Sequence, residues 1–192
     1  MLLLILGLIL FLGMHSIVIF APNFREKYRS KALLTWKIGY GLVSIIGFVL
    51  IVIGYSDARL SSTVLYMSPI WLKQITMAMM IPVFVFFFAP YLPGKISNLT
   101  RHPQLMAVKL FMMAHLLANG TVVDLVLFGA FLVWAVLDLM ALNRLPSHNP
   151  PNEPIKLKAT KLNDIILVIL GITVYIAFLT CLHTQLIGVS LI

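Results

Sequence analysis

Apolar residues along this chain come in long unbroken runs, and short clusters of charge, proline and glycine separate one run from the next. A run of about 20 apolar residues is long enough to cross the hydrocarbon core as a helix. Runs of this kind predict about six spans, at roughly 2–20, 37–56, 70–90, 104–118, 121–142 and 164–187. Backbone polar groups in lipid must be satisfied within the segment itself, which favours helix over any open strand. The expected fold class is all-α: a polytopic transmembrane helix bundle, with 1–192 a single membrane domain. The fourth run is short and contains Lys109, so a tilted or re-entrant segment covered by other helices is the alternative to a full crossing there.

Composition sharpens this picture. Hydrophobic residues are 61% of the chain and charged ones 10%, with a mean hydropathy of +1.03, and no soluble domain is left once the spans are removed. The basic residues then set orientation, because short cytoplasmic loops hold the excess of Lys and Arg. Arg25, Lys27, Arg29, Lys31, Lys37, Lys95, Arg101, Arg144, Lys156, Lys158 and Lys161 fall on one side, and only Arg59 and Lys73 on the other. Both termini are therefore expected outside, with the first run an uncleaved span whose sole hint of a cleavage site is the small residue Ala21. The net charge of +8 is mostly this asymmetry. It points to anionic lipid at the cytoplasmic rim, and nothing else supports a nucleic-acid partner.

The lone cysteine, Cys181, excludes an intramolecular disulfide and any CxxC motif, and is expected as a buried thiol in span 6. The longest connection, Asn143 to Asn163, carries Pro146, Pro150, Pro151, Pro154 and His148 and reads as a solvated loop.

Ionisable groups at bilayer depth need a reason, and the stretch RHPQLMAVKLFMMAHLLANG from Arg101 to Gly120 has several. His102 begins span 4, and Lys109 lies on nearly the same face about 10 Å deeper. His115 is about 20 Å along the helix from His102 and turned away, sharing its face with Asn119 at i+4. Asp124, three residues after Thr121, resembles an N-terminal capping pair. Asp138 comes close to the depth of Lys109, so the two form either an ion pair between neighbouring spans or a proton-handling or ligand-binding site. His15 reaches a similar depth, which would place His15, Lys109 and Asp138 in one polar layer, with Trp134 one turn before Asp138. His183 is expected at the interface.

Gly39, Gly41, Gly47 and Gly54 are expected to allow close helix approach, and Pro82 to kink span 3. The run Val83 to Phe88 suits packing or lipid contact, and Trp36, Trp71 and Tyr91 suit interfacial anchors.

Two histidines on different helices can bind a metal or clamp haem iron from both sides with bonds of about 2 Å. His15 and His115 differ by about 10 Å in expected depth, and His15 matches His102 slightly better. From residues alone, the chemistry is a polar membrane cavity able to hold a metal.

Gly13-Met14-His15-Ser16 ends the first span, Gly54-Tyr55 follows the second, and Tyr91-Leu92-Pro93-Gly94 follows the third. Arg101-His102-Pro103, Lys109 and Ala114-His115-Leu116-Leu117-Ala118-Asn119-Gly120 come next. This order resembles the NnrU family over about residues 1–144, with a generic loop and final span after it. The resemblance implies a multi-pass protein of the bacterial inner membrane, associated by family name with nitrite and nitric oxide respiration, hence with denitrification. The same family includes 15-cis-zeta-carotene isomerase, a haem b membrane enzyme. It implies haem b as cofactor, with His15 and His115 at the axial-ligand and metal positions and His102 at a further family histidine. Arg101 and Lys109 would neutralise haem propionates, and Asp138 and Asn119 would be polar-cavity partners.

Reduction would then release one histidine and open a position for a polyene, a quinone-like molecule or a diatomic gas. Two rivals belong to other classes. Arg101-His102-Pro103 before a helix is similar to the cofactor motif of isoprenylcysteine and phospholipid methyltransferases. A non-enzymatic accessory or assembly subunit of a respiratory complex would use the same polar residues only to fix helix packing.

Overall fold

The computed structural model describes residues 1–144 and 159–187. His148 and the four loop prolines, together with Lys156 and Lys158, lie outside the described residues. The described chain is helical: α1 (Leu2–His15), α2 (Ile17–Phe20), α3 (Pro22–Lys31), α4 (Leu33–Arg59), α5 (Ile70–Phe88), α6 (Pro103–Ala118), α7 (Val122–Arg144), α8 (Lys161–Ala177) and α9 (His183–Ile187). A 3-10 turn, Ala89–Tyr91, extends α5, and a π-helical turn, Phe178–Leu182, joins α8 to α9.

Among the described residues four helical stretches are long and apolar enough to cross a membrane: Leu33–Arg59, Ile70–Tyr91, Val122–Arg144 and Lys161–Gln185. The first and fourth expected spans correspond to shorter apolar helices, Leu2–His15 and Pro103–Ala118. Span 1 is not one helix to residue 20. Ser16 interrupts it, and it ends at Ala21 (φ −142°, ψ 56°), where Pro22 at the first turn of α3 pushes the preceding residue out of the helical region. At its other end α3 stops at Ala32 (φ −149°, ψ 68°), and α4 then begins four residues earlier than the apolar run.

By their contacts the residues form two compact units, Met1–Pro69 with His115–Pro146 and Ile70–Ala114 with Ser147–Ile192. In the first unit α1 lies antiparallel to α4, and α7 packs on both. Glycine sets how closely they meet. A Cβ on Gly7 would sit 2.6 Å from the Ile51 nitrogen, one on Gly47 2.7 Å from the Phe11 nitrogen, and one on Gly54 would run into the Leu4 backbone. These pairs, 7 with 51, 11 with 47 and 4 with 54, share one antiparallel register. Around them Leu4, Leu8, Ile51, Ala58 and Val123 form a buried core.

Of the four span-2 glycines expected at a close approach, Gly47 and Gly54 are there. A Cβ on Gly39 or Gly41 would meet nothing within 4 Å, and Gly7 takes up the partner role on α1.

The second unit pairs α5 with α8. Gly171 admits the Val85 backbone, with a Cβ there meeting the Val85 nitrogen at 2.9 Å. The Tyr175 hydroxyl donates to the Met77 carbonyl at 3.0 Å, Phe84 stacks on Phe178 with ring centroids 5.2 Å apart, and Pro82 lies within α5. Cys181, expected buried, is exposed on the π-helical turn, its Sγ 3.3 Å from the Thr180 hydroxyl. A π turn widens the helix by a residue and rotates the following side chains away from a 3.6-residue face.

Gly54→Val should destabilise the first unit by about 1–3 kcal/mol through overpacking, whereas Gly39→Ala and Gly41→Ala should be neutral or stabilising by up to about 1 kcal/mol from helix propensity. Thermal unfolding of the detergent-purified variants, followed by loss of the monodisperse chromatographic peak, measures both.

Candidate functional site

At one end of the first unit the polar groups close on one another. Thr121 precedes α7, and its N–H and hydroxyl donate to Asp124 Oδ2 at 3.0 and 2.6 Å, while the Asp124 N–H donates to Thr121 Oγ1 at 3.3 Å. This is a reciprocal capping pair, as the spacing predicts. The Tyr55 hydroxyl donates to Asp124 Oδ1 at 2.7 Å, so a carboxylate only 4% exposed has donors on both oxygens.

The connection after α4 straps the α6–α7 turn. Val64 bridges to Thr121, the N–H groups of Leu65 and Tyr66 donate to the Gly120 carbonyl at 2.7 and 3.2 Å, and the Val123 N–H donates to the Ser62 hydroxyl at 3.1 Å. The Tyr66 hydroxyl donates to the carbonyls of Leu116 and Asn119, and the Ser68 hydroxyl to that of Leu117. Those carbonyls close α6 and would otherwise lack partners at a helix end.

His115 belongs to this end. Its ring stacks on Phe128 with centroids 4.6 Å apart and planes 13° apart. The Asn119 Nδ2 lies 3.2 Å from His115 Nδ1 and 3.0 Å from the His115 carbonyl. An amide nitrogen only donates, so Nδ1 is the acceptor and the neutral ring carries its proton on Nε2. Reversing the amide would set two acceptors, Asn119 Oδ1 and the His115 carbonyl, against each other.

His15 lies toward the other end of α7. Its Nδ1 is 2.7 Å from the Phe11 carbonyl one turn back, and a carbonyl only accepts, so Nδ1 holds the proton and Nε2 is left with a lone pair. The ring stacks on Phe11 (4.2 Å between centroids), tilts against Tyr40 (5.3 Å) and meets Trp134 edge-on (5.9 Å). The Trp134 Nε1–H is buried with no hydrogen-bond acceptor among the described residues. Asp138, 7% exposed, is one turn further along α7. His15 thus lies among the rings of Phe11, Tyr40 and Trp134, with Asp138 one helical turn beyond Trp134.

His15 sits at the level of Trp134 and His115 at that of Phe128, six residues apart and so about 9 Å along α7. Phe11 and Phe131, with centroids 5.7 Å apart, pack in the layer between. Arg101, His102 and Lys109 belong to the second unit, so the polar residues expected around one centre are divided between units. There the His102 N–H lies 3.4 Å from the Thr100 hydroxyl, Arg101 is exposed and Lys109 half-buried. His183, half-buried, begins α9.

The second unit also has two features that its sequence does not announce. An apolar pocket of about 380 Å³ is lined by Phe84, Phe87 and Phe88 of α5, Phe111 and Met112 of α6, and Phe178, so part of the Val83–Phe88 run borders a cavity rather than only packing or facing lipid. In addition, Asp164 in the first turn of α8 accepts the N–H groups of Lys95 and Ile96, both at 3.0 Å, and Asn163 donates to the Pro93 carbonyl at 2.8 Å. Gly94 makes room here, because a Cβ would displace the Asp164 carboxylate from its present position. The Tyr91-Leu92-Pro93-Gly94 motif is therefore half of a clamp whose other half is on α8. The only signal for Asp164 is its place just after Thr160, which caps α8 through the Asn163 N–H at 3.2 Å.

Among the described residues no group of three or more His, Cys, Asp or Glu side chains is placed to hold a metal ion.

The sequence model of the family described as "NnrU protein" matches residues 3–191. The match takes in α8 and α9 as well as the first 144 residues, in keeping with the role of Asp164. No curated protein and no solved structure matches the chain.

Asp164→Ala should cost the second unit about 1.5–3 kcal/mol, the range for hydrogen bonds to a charged group, and should open the 94–100 turn to limited proteolysis while Asn98→Ala does not. Burial, and to a lesser degree the Asp124 carboxylate, push the Tyr66 phenol above its ordinary value. The fold favours the neutral hydroxyl that donates to α6, so its contribution is full below pH of about 10 and is lost as pH rises through the folded-state value. Alkaline titration of thermal stability should show this loss, and Tyr66→Phe should abolish that component.

Proposed function

The chain belongs to the NnrU family, and from that membership, together with the setting of His15, we propose a haem b-associated protein of the bacterial inner membrane. Its role would be a redox-linked step in nitrite and nitric oxide metabolism or in the cis–trans isomerisation of a polyene. One observation carries this reading: His15 has Nδ1 fixed on the Phe11 carbonyl and Nε2 available, beside a buried Trp134 N–H that has no acceptor among the described residues. A ligating histidine is usually oriented in this way, by a hydrogen bond from its other nitrogen.

A bound haem would supply one-electron chemistry and a coordination position for a small ligand. Phe11, Tyr40 and Trp134 shield the His15 ring from water and hold its plane. Trp134 would offer a hydrogen bond to an electronegative atom arriving beside His15. His115 fits the second-ligand role less well, since its Nε2 carries the proton and its ring lies about 9 Å away along α7. The roles of Arg101, His102 and Lys109 at the haem edge rest on the family resemblance alone.

The proposal also has α1 and α6 crossing the bilayer, six spans in all, with both termini outside as the basic residues suggest. A hydrophobic small molecule would find hydrocarbon surroundings in the pocket lined by Phe84, Phe87 and Phe111.

A second reading, an accessory or assembly protein of a respiratory membrane complex, is favoured by the opposite end of the first unit. There Asp124, Asn119 and His115 are engaged in capping and helix packing, as membrane polar groups are in purely structural roles.

The absorption spectrum of the detergent-purified protein, expressed with haem supply and recorded before and after dithionite, decides between them. Near-stoichiometric haem is expected, lost in His15→Ala and retained in His115→Ala, with both variants inserting normally. A colourless, monodisperse protein that co-purifies with an oxidase or reductase would replace this proposal with the accessory reading.

A further inference from the structure

Among the described helices of ten or more residues, α3 stands apart. Its sequence, PNFREKYRSK, is polar, none of its residues is buried, and it lies between two backbone breaks with nearly equal dihedrals, Ala21 and Ala32. Apolar helix precedes it and follows it, so with α1–α2 and α4 in the bilayer both of its ends would lie at the surface of the hydrocarbon layer. Large apolar side chains flank these ends, with Phe20 76%, Leu33 47% and Leu34 71% exposed.

At about 100° per residue the side chains of α3 sort into sectors. Phe24 and Tyr28 share one stripe; their rings are 4.4 Å apart at the centroids, each is 48% exposed, and Phe24 also meets Trp36 edge-on at 6.3 Å. Lys27 and Lys31 border that stripe on one side, Arg25 and Arg29 on the other, and Glu26 and Ser30 lie opposite. An aromatic stripe between two basic borders, with the acidic residue turned away, is the pattern of a helix lying in the membrane interface. The long basic stems run along apolar surface while their charges reach the phosphate layer.

We propose that α3 is a lipid-binding interfacial helix, with Phe24 and Tyr28 seated among the headgroups and Arg25, Lys27, Arg29 and Lys31 holding the phosphates of anionic phospholipids. Lys37, at the start of α4, adds to the same field. The partner is the bilayer in which the chain resides, and the charge of the segment is complementary to an anionic leaflet. This surface works independently of any cofactor at His15.

The test uses the full chain reconstituted in bilayer discs of equal parts phosphatidylcholine and phosphatidylglycerol, with spin-labelled versions of each lipid reporting which associates with the protein. The unmodified protein should prefer phosphatidylglycerol, and the preference should weaken as salt rises. A basic residue near an anionic surface strengthens association about fivefold. K27Q/R29Q/K31Q should therefore reduce the preference at least about tenfold, whereas K95Q/R101Q should leave most of it. An unmodified protein with no preference, or one insensitive to salt, overturns the proposal without reference to any variant. A preference kept in K27Q/R29Q/K31Q and lost in K95Q/R101Q overturns it by placing the anionic-lipid contact elsewhere.

Discussion

Close backbone contact at glycine is what organises this protein. Its exposed faces are as apolar as its interior, with Ile45, Ile53 and Ile169 all more than half exposed, so burying one aliphatic side chain against another gains little over contact with lipid tails. Helices in lipid associate through dispersion contacts and hydrogen bonds that demand short distances. Gly7, Gly47 and Gly54 supply those distances between α1 and α4, and Gly171 does so between α5 and α8. Once α1 and α4 are locked in register, the side chains of Phe11, His15, Tyr40 and Tyr55 are fixed in position, and α7 completes both polar ends of the first unit.

Those two ends treat polarity differently. Near Asp124, each described donor and acceptor finds a partner: the carboxylate receives Tyr55 and Thr121, and the last carbonyls of α6 receive Tyr66 and Ser68. An arrangement of that kind fixes a helix turn. Around His15 the bonding is incomplete, because the Nε2 lone pair of a ring packed edge-on to Trp134 and the buried Trp134 N–H find no hydrogen-bond partner among the described residues. In a medium of low dielectric an unsatisfied N–H is unfavourable by about 1–3 kcal/mol, and a bound group able to accept that hydrogen bond would offset it.

Much of this was legible in the residues. Apolar runs marked the helices, Thr121 with Asp124 announced a capping pair, and the family motifs identified the chain. What was not legible depended on contacts between segments distant in sequence. Asp164 looks like an ordinary first-turn acid until Gly94 is seen to make room for it 70 residues earlier. The 60–69 connection has no motif of its own in sequence, yet its hydroxyls and amides terminate α6. Gly7 offered no more signal than Gly39 or Gly41, since only the register between α1 and α4 decides which glycines face a partner backbone.

The unequal standing of His15 and His115 follows from the same limit of sequence. Both are lone histidines near the ends of apolar helices, and spacing treats them alike. Their difference is a matter of which nitrogen holds the proton, and that is set by a neighbour one turn away in each case. For His15 the neighbour is the Phe11 carbonyl, which can only accept and so leaves Nε2 as a base. For His115 it is the Asn119 amide nitrogen, which can only donate and so leaves Nε2 as an acid. Nε2 of the first already presents a lone pair, whereas Nε2 of the second would have to exchange its proton at the expense of the Asn119 hydrogen bond, so the difference between them arises from main-chain and amide chemistry rather than from place in a motif.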